Sequence, residues 1–158
     1  MNGVRVGQGF DVHPWSDDPA RPLVLGGVTL DGERGLAGHS DADVLSHAVA
    51  DALLGAAGLG DIGSHFPDTD SRWRGADSLA LLAHVVDLVR AEGWSVGNVD
   101  TTVILEAPRL APHKGQMEAR LRAVVGAPVS VKAKRAEGLG ALGRGEGAAC
   151  FAVALLFR

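Results

Sequence analysis

Asp11 and His13 stand two positions apart in Gly9-Phe10-Asp11-Val12-His13-Pro14. An extended backbone points both side chains to the same face, and Pro14 pushes His13 towards that extended region. A carboxylate and an imidazole side by side are ordinary zinc ligands. His47 offers a third donor at the end of His39-Ser40-Asp41-Ala42-Asp43-Val44-Leu45-Ser46-His47. In that stretch Ser40 reads as an N-cap with Asp43 three residues on, so a helix is expected to begin there. His47 then lies one turn after Asp43 and one turn before Asp51, a carboxylate, imidazole, carboxylate face too polar for a plain core stripe. Three protein ligands rather than four leave a coordination position open, the arrangement of a catalytic zinc. Local spacing does not bring residues 13 and 47 together, and a histidine taken alone is more often a hydrogen-bonded surface residue.

Two loops carry further chemistry. Asp61-Ile62-Gly63-Ser64-His65-Phe66-Pro67-Asp68-Thr69-Asp70 sets several carboxylates directly after the expected helix, suited to hydroxyls or a second cation. The same composition is common turn chemistry, because Asp caps backbone groups in proline-containing loops. Residues 137–147 are glycine-rich and contain a literal G-x-G-x-x-G at 138–143. A dinucleotide turn of that form must open a helix, whereas here the chain is expected to pass through Arg144 into a strand. Exposed N–H groups with Arg144 could hold phosphate oxygens, and Glu137 could bind magnesium, which takes few protein carboxylates. Lys132 and Lys134 share a strand face, as a solvated edge or an anion site. Residues 107–112, Ala-Pro-Arg-Leu-Ala-Pro, form a candidate small pocket. No serine nucleophile elbow or Cys-His pair appears, which leaves metals plus phosphate binding.

The elements that must position these residues alternate. A strand over 4–10 is followed by a hairpin of 23–25 and 28–30 around Gly26-Gly27. A helix is expected over about 41–57, and a second from the spacing of Leu79, Leu82, Ala83, Val86 and Val89, ended at Gly93. A strand over 94–105 precedes a third helix with Pro112 as its first residue and Met117, Leu121 and Val124 on its apolar side. Val129, Val131 and Ala133 alternate with polar residues in the next strand. The last strand, 148–157, is apolar throughout and so expected to be covered on both faces, on one by helices and on the other by another subunit.

The chain of 158 residues is expected to be one domain, 1–158, and at 46% hydrophobic it can bury a sizeable core. A net charge of −4 argues against nucleic acid as the principal partner. The longest apolar run is too short to span a bilayer and the N-terminus has no apolar h-region, so a cytoplasmic protein with no membrane partner is expected. Cys150 is the one cysteine, which excludes an internal disulfide, and its apolar surroundings read as core.

Taken in order, Gly-Phe-Asp-Val-His at 9–13, His-Ser-Asp-Ala-Asp-Val at 39–44 with His47, Asp-Ala-Leu-Leu-Gly-Ala-Ala at 51–57, Asp-Ile-Gly at 61–63, Phe-Pro-Asp-Thr-Asp at 66–70, Gly-Asn-Val-Asp at 97–100 and Gly-Arg-Gly-Glu-Gly at 143–147 closely resemble the 2-C-methyl-D-erythritol 2,4-cyclodiphosphate synthases. The resemblance spans nearly the whole chain. It implies an α/β fold (two-layer α+β) with a mixed sheet and helices on one face, in a homotrimer whose sheets surround the central axis. It implies a lyase of the non-mevalonate isoprenoid pathway: in 4-diphosphocytidyl-2-C-methyl-D-erythritol 2-phosphate the 2-phosphate attacks the β-phosphorus, closing the cyclodiphosphate and releasing CMP. The same metal on its own would also serve a phosphohydrolase, and a homologue without turnover is the other alternative.

By the same resemblance Asp11, His13 and His47 bind one zinc per subunit, and Glu137 helps hold magnesium or manganese with the diphosphate. His39 and Ser40 contact phosphate, with His39 and Arg135 acting at the reacting groups. Asp61, Ile62, Gly63, Phe66, Pro67, Asp68, Thr69 and Asp70 form a hydroxyl-binding loop. Leu105, Glu106, Ala107, Pro108, Arg109, Leu110 and Ala111 with Ala133 form a cytosine pocket reached from the neighbouring subunit, and Lys134, Arg135, Ala136 and Glu137 continue along the diphosphate. Ala141 and Arg144 fall near the trimer axis, where an isoprenoid diphosphate is a further expected ligand. Two positions depart from the family: Arg135 stands where threonine is usual and Ala141 where phenylalanine is common. An arginine brings charge but not the same short hydroxyl contact.

Overall fold

The computed structural model describes residues 3–158. Its centre is a four-stranded sheet in the order β1-β6-β4-β5, built from β1 (Val4–Pro14), β4 (Ser95–Ile104), β5 (Val129–Lys134) and β6 (Gly147–Phe157). The β1/β6 and β6/β4 pairs are antiparallel and β4/β5 is parallel. A separate hairpin pairs β2 (Leu23–Leu25) with β3 (Val28–Leu30). Its turn residues Gly26 and Gly27 both have positive φ, 57° and 70°, as a tight primed turn needs. The helices are α1 (Val44–Ala57), a single turn α2 (Ile62–His65), α3 (Ser78–Ala91), α4 (Lys114–Val125) and a second single turn α5 (Gly140–Gly143). The mixed sheet with helices agrees with the expected fold class.

The period of β1 explains how α1 lies on the sheet. Gly7, Gly9, Asp11 and His13 face the helix while Val4, Val6, Phe10 and Val12 face away. A Cβ on Gly7 would lie 2.1 Å from the Ala52 carbonyl oxygen, and one on Gly9 would lie 2.0 Å from that of Ala48. Glycine on the strand therefore meets the alanine stripe of the helix, Ala48, Ala52 and Ala56, with no side chain between the backbones. Leu23, Leu25, Leu45, Leu53, Leu82 and Met117 are fully buried beside this contact and close the core.

Four local expectations are corrected. The cap of α1 is Asp43, whose carboxylate accepts from Ser46 N at 3.0 Å, so the helix begins three residues later than expected. Ser40 instead turns the chain before it, accepting from Ala42 N at 3.2 Å. Pro112 lies in the turn before α4, which starts at Lys114 behind His113. Ala133 is exposed, because the end of β5 runs past the helical layer. The G-x-G-x-x-G stretch does contain a helical turn, α5, but one of four residues that leads into β6.

In β6 the even-numbered residues from Ala148 to Leu156 are buried, while Phe151, Val153 and Phe157 are 45 to 47% exposed. In this single chain the second face is exposed at Phe151, Val153 and Phe157, while Ala149 is buried and Leu155 half-buried. Phe10 and Phe151 meet across β1 and β6 on that face with centroids 4.9 Å apart.

Candidate metal centre and active site

Asp11 and His13 leave β1 on the helix side, and His47 projects from the first turns of α1, so the glycine-on-alanine contact brings all of them together. The His47 Nδ1 and His13 Nε2 atoms lie 2.9 and 3.0 Å from the same oxygen, Asp11 Oδ2. Among the described residues this is the one group of His, Cys, Asp and Glu side chains close enough to hold a metal, its ligand atoms all within 4.8 Å of one another. Residues 13 and 47, which local spacing does not bring together and the family resemblance does, meet through packing.

The hydrogen bonds around the group say what it wants. His13 Nδ1 donates to the Ala37 carbonyl at 2.8 Å, since a carbonyl can only accept. In the neutral ring Nε2 is then an acceptor, buried and with no hydrogen-bond partner, pointing at a carboxylate oxygen that is also an acceptor. Two acceptors facing each other in a buried place are costly unless a cation lies between them. The donor set of two imidazoles and one carboxylate fits zinc with an open position. Gly38 makes room for the ring: a Cβ there would be 3.0 Å from His13 Cε1.

The electrostatics agree. Burial raises the Asp11 carboxyl, but the His13 and His47 rings beside it outweigh that and hold the group at about 2. Burial works to lower His47, and Asp11, helped by Asp43 and Asp41, pulls it above the ordinary imidazole value. Cys150, by contrast, is pushed far up by burial, as befits a core residue and not a nucleophile.

The triad opens into a cleft of about 300 Å³ lined also by Gly38, His39, Ser40, Ile62, Gly63, Phe66, Asp68, Trp73 and Leu81. His39, Ser40 and half of the 61–70 loop are thus brought to the metal group. Asp61 and Asp70 are not: they cap short helical turns, accepting from Ser64 N at 2.8 Å and Arg72 N at 3.0 Å, and Pro67 and Thr69 are outside the lining. Trp73 and Leu81 were missed by sequence reasoning. Trp73 stands edge-on to Phe66 at 5.0 Å, and both rings line the cleft. An aromatic six residues after Phe-Pro was the available signal.

A second cleft, of about 290 Å³, is lined by Leu105, Glu106, Pro108, Arg109, Leu110, Ala111, Ala133, Lys134 and Arg135. Glu106 organises it, accepting from Ala136 N at 2.7 Å and from Arg135 Nε at 3.2 Å. It shares no residue with the metal cleft. Glu137 is exposed, lines neither cleft and holds a left-handed φ of 55°, a strained backbone for a residue with a side chain. Ala141 is exposed, and Arg144 pairs with Glu146 at 2.6 Å on the surface. A larger groove of about 620 Å³ beside Arg21 and Arg34 contains none of the expected site residues. No helix among the described residues is long and apolar enough to cross a membrane.

Comparison with known proteins gives this geometry a context. The model of the YgbB family matches residues 4–157. The chain is 59% identical to the 2-C-methyl-D-erythritol 2,4-cyclodiphosphate synthase of Bordetella petrii, over 98% of this chain and 96% of that protein. It is 57% identical to the enzyme of the same name from Burkholderia thailandensis over the same shares. Among solved structures, the bifunctional IspDF of Campylobacter jejuni superposes with a TM-score of 0.94 at 40% identity, covering 99% of this chain and 43% of that one. IspF of Plasmodium falciparum in complex with CDP superposes at 0.84 with 33% identity, covering 99% and 97%. The chain belongs to the YgbB family, the family of the 2-C-methyl-D-erythritol 2,4-cyclodiphosphate synthases.

Proposed function

We propose that this chain converts 4-diphosphocytidyl-2-C-methyl-D-erythritol 2-phosphate to 2-C-methyl-D-erythritol 2,4-cyclodiphosphate with release of CMP, acting as a single domain in a cytoplasmic homotrimer. What carries this is the meeting of Asp11, His13 and His47 beside His39 and Ser40 in one cleft, in a chain more than half identical to synthases of that name.

Asp11, His13 and His47 would hold zinc, and Glu137 with substrate phosphates would hold magnesium or manganese. When bound, such cations withdraw charge from phosphate oxygens. The rest falls to the chain. Ser40 and His39, which line the cleft, hold the 2-phosphate. Its oxygen is already anionic, so no general base is required; one P–O bond forms to the β-phosphorus and the P–O bond to the α-phosphate breaks, the electron pair leaving on CMP. Positioning of the two phosphates is the main requirement. Phe66, Trp73 and Leu81 form an apolar wall that excludes water, which would otherwise open the diphosphate by hydrolysis.

Cytidine fits the second cleft, where Lys134, Arg109 and Arg135 bring positive charge for the diphosphate, Arg135 in place of the usual threonine. The two clefts share no residue, so a complete site is best formed with a neighbouring subunit. The bare face of Val4, Val6, Phe10, Val12, Phe151, Val153 and Phe157 supports packing about an axis. Arg144 and Ala141 would then lie near that axis, where an isoprenoid diphosphate is the expected ligand. The test is product analysis on protein loaded with zinc and supplied with magnesium: CMP and the cyclic diphosphate in equal amounts are expected, and CMP without cyclic product, or orthophosphate, would refute it. Arg135→Thr distinguishes an arginine that works from one that impairs, by loss or gain of rate.

A further inference from the structure

His47 faces the metal group with one ring nitrogen and a buried polar chain with the other. Its Nε2 atom is 2.7 Å from Ser78 Oγ and 3.1 Å from Ser40 Oγ. Ser78, the first residue of α3, is 1% exposed, and its hydroxyl in turn contacts Asp41 Oδ1. Asp41 also accepts from Ser78 N through its other oxygen at 3.1 Å. A carboxylate can only accept, so the Ser78 hydroxyl proton is directed to Asp41. The Ser78 oxygen then presents lone pairs to His47 and can only receive. When His47 ligates as a neutral imidazole its one proton is accordingly held on Nε2, and Nδ1, the nitrogen beside Asp11, is left to ligate.

We infer that Ser78, backed by Asp41, is a positioning residue for metal binding: it sets the tautomer and ring orientation in which His47 Nδ1 meets the metal. This rests on the reading of Asp11, His13 and His47 as metal ligands. His13 is served by the same logic, from a backbone carbonyl on a different segment. The two ligand histidines thus have opposite tautomers, one ligating through Nδ1 and the other through Nε2, each set by its outer partner. Neither Ser78 nor Asp41 lines the cleft, so neither touches substrate.

The test measures zinc affinity of the trimer by competition with a chromogenic chelator, alongside thermal melting, for Ser78→Ala, Ser78→Thr, Asp41→Asn, Ser40→Ala and His47→Ala. Removing an outer partner of a ligating histidine typically costs about 10 to 100-fold in affinity, and that loss is expected for Ser78→Ala, with about a 10-fold loss for Asp41→Asn. Ser78→Thr restores the hydroxyl and recovers affinity, and Ser40→Ala, which removes the longer contact, loses less affinity than Ser78→Ala. In zinc-loaded wild type the His47 Nε2 proton is visible and slow to exchange in a long-range 1H–15N spectrum, whereas in Ser78→Ala it exchanges with solvent. Wild-type zinc affinity in a folded Ser78→Ala protein, with zinc lost from His47→Ala, overturns the inference and leaves the ligand assignment standing. Unchanged zinc in His47→Ala overturns both.

Discussion

Gly9→Ala adds one methyl group and should disable the site without touching it. The new Cβ would lie 2.0 Å from the carbonyl oxygen of Ala48 and 2.6 Å from the Ala52 nitrogen, both backbone atoms that cannot rotate away. Non-bonded carbon and oxygen need more than ~3 Å, so β1 and α1 must separate by about 1 Å at this point. Asp11 is two residues along the strand from Gly9 and His47 is the neighbour of Ala48, so the separation falls directly on the 2.9 Å gap between Asp11 and His47. Metal–ligand distances tolerate only about ±0.2 Å, and zinc affinity should fall by at least ~10-fold. Overpacking a well-filled contact costs about 1 to 3 kcal/mol, and a clash with fixed backbone belongs at the upper end. At roughly 2 to 4 °C per kcal/mol, the melting temperature should drop by about 6 to 12 °C.

The control lies on the same helix. A Cβ at Gly55 would meet only Gln8 O, at an ordinary 3.8 Å, and the residue is exposed within α1. Gly55→Ala should therefore stabilise by about 0.5 to 1 kcal/mol through lower chain entropy and leave zinc unchanged. Both proteins are read by calorimetry and by metal content after dialysis. A Gly9→Ala protein that melts with wild type and retains stoichiometric zinc would refute the claim that direct backbone contact sets the ligand geometry.

Asp43→Ala should be the most damaging change outside the cleft, by about 3 to 5 kcal/mol in denaturant unfolding, because it removes a cap and strands buried N–H groups of Gly26 and Ser46; a loss below about 1 kcal/mol would contradict it. Phe151→Glu places a charge at the centre of the bare sheet face and should convert the proposed trimer to monomer in light scattering, with zinc retained, whereas an unchanged mass would remove that face from the interface. Lys132, then Ser130, hold the carboxyl of Asp100 below its ordinary value, so this group stabilises above pH ~4 and the contribution fades as pH falls through its lowered pKa. The pair is largely exposed, so Asp100→Asn should cost less than about 1 kcal/mol at pH 7, and that cost should shrink as pH falls through the lowered pKa; a cost independent of pH would show a packing effect instead.

The legible part of the molecule was whatever repeats locally. Alternation gave β5, the continuous apolar run gave β6, the 3.6-residue period gave α3, and Gly26-Gly27 gave the hairpin with its true bounds, whereas β1 runs four residues beyond the expected 4–10. Asp11, His13 and His47 were legible as donor types, because residue chemistry survives without coordinates. What could not be read was distance. Gly7 and Gly9 look like punctuation in a chain with 22 glycines, and only the facing alanines, some forty residues on, turn them into a contact surface. Capping failed for the same reason: Ser40 and Asp43 are both good caps by type, and the choice fell to Asp43 because its second oxygen also meets the hairpin.

The acidic residues around His47 illustrate the limit best. On the sequence they read as a polar face gathered for a ligand, yet each is occupied with backbone. Asp43 accepts from Gly26 N and Gly27 N at 2.8 Å and ties the hairpin to α1. Asp51 accepts from Ile62 N at 2.9 Å and ties down the loop that lines the cleft. Asp41 accepts from Ser78 N and ties in α3. Three distant segments are thereby anchored to α1 and the turn before it, and two of them contribute to the cavity or to the partner of His47. Carboxylates used in this way are charge-assisted acceptors and not ligands, which explains how one imidazole can be surrounded by acids while only Asp11 reaches the metal position. It follows that changing Asp51 should loosen the cleft wall at Ile62 and Gly63 before it disturbs the metal, so Asp51→Ala should weaken substrate binding by more than it weakens zinc. The reverse order would mean that Asp51 acts on His47 directly.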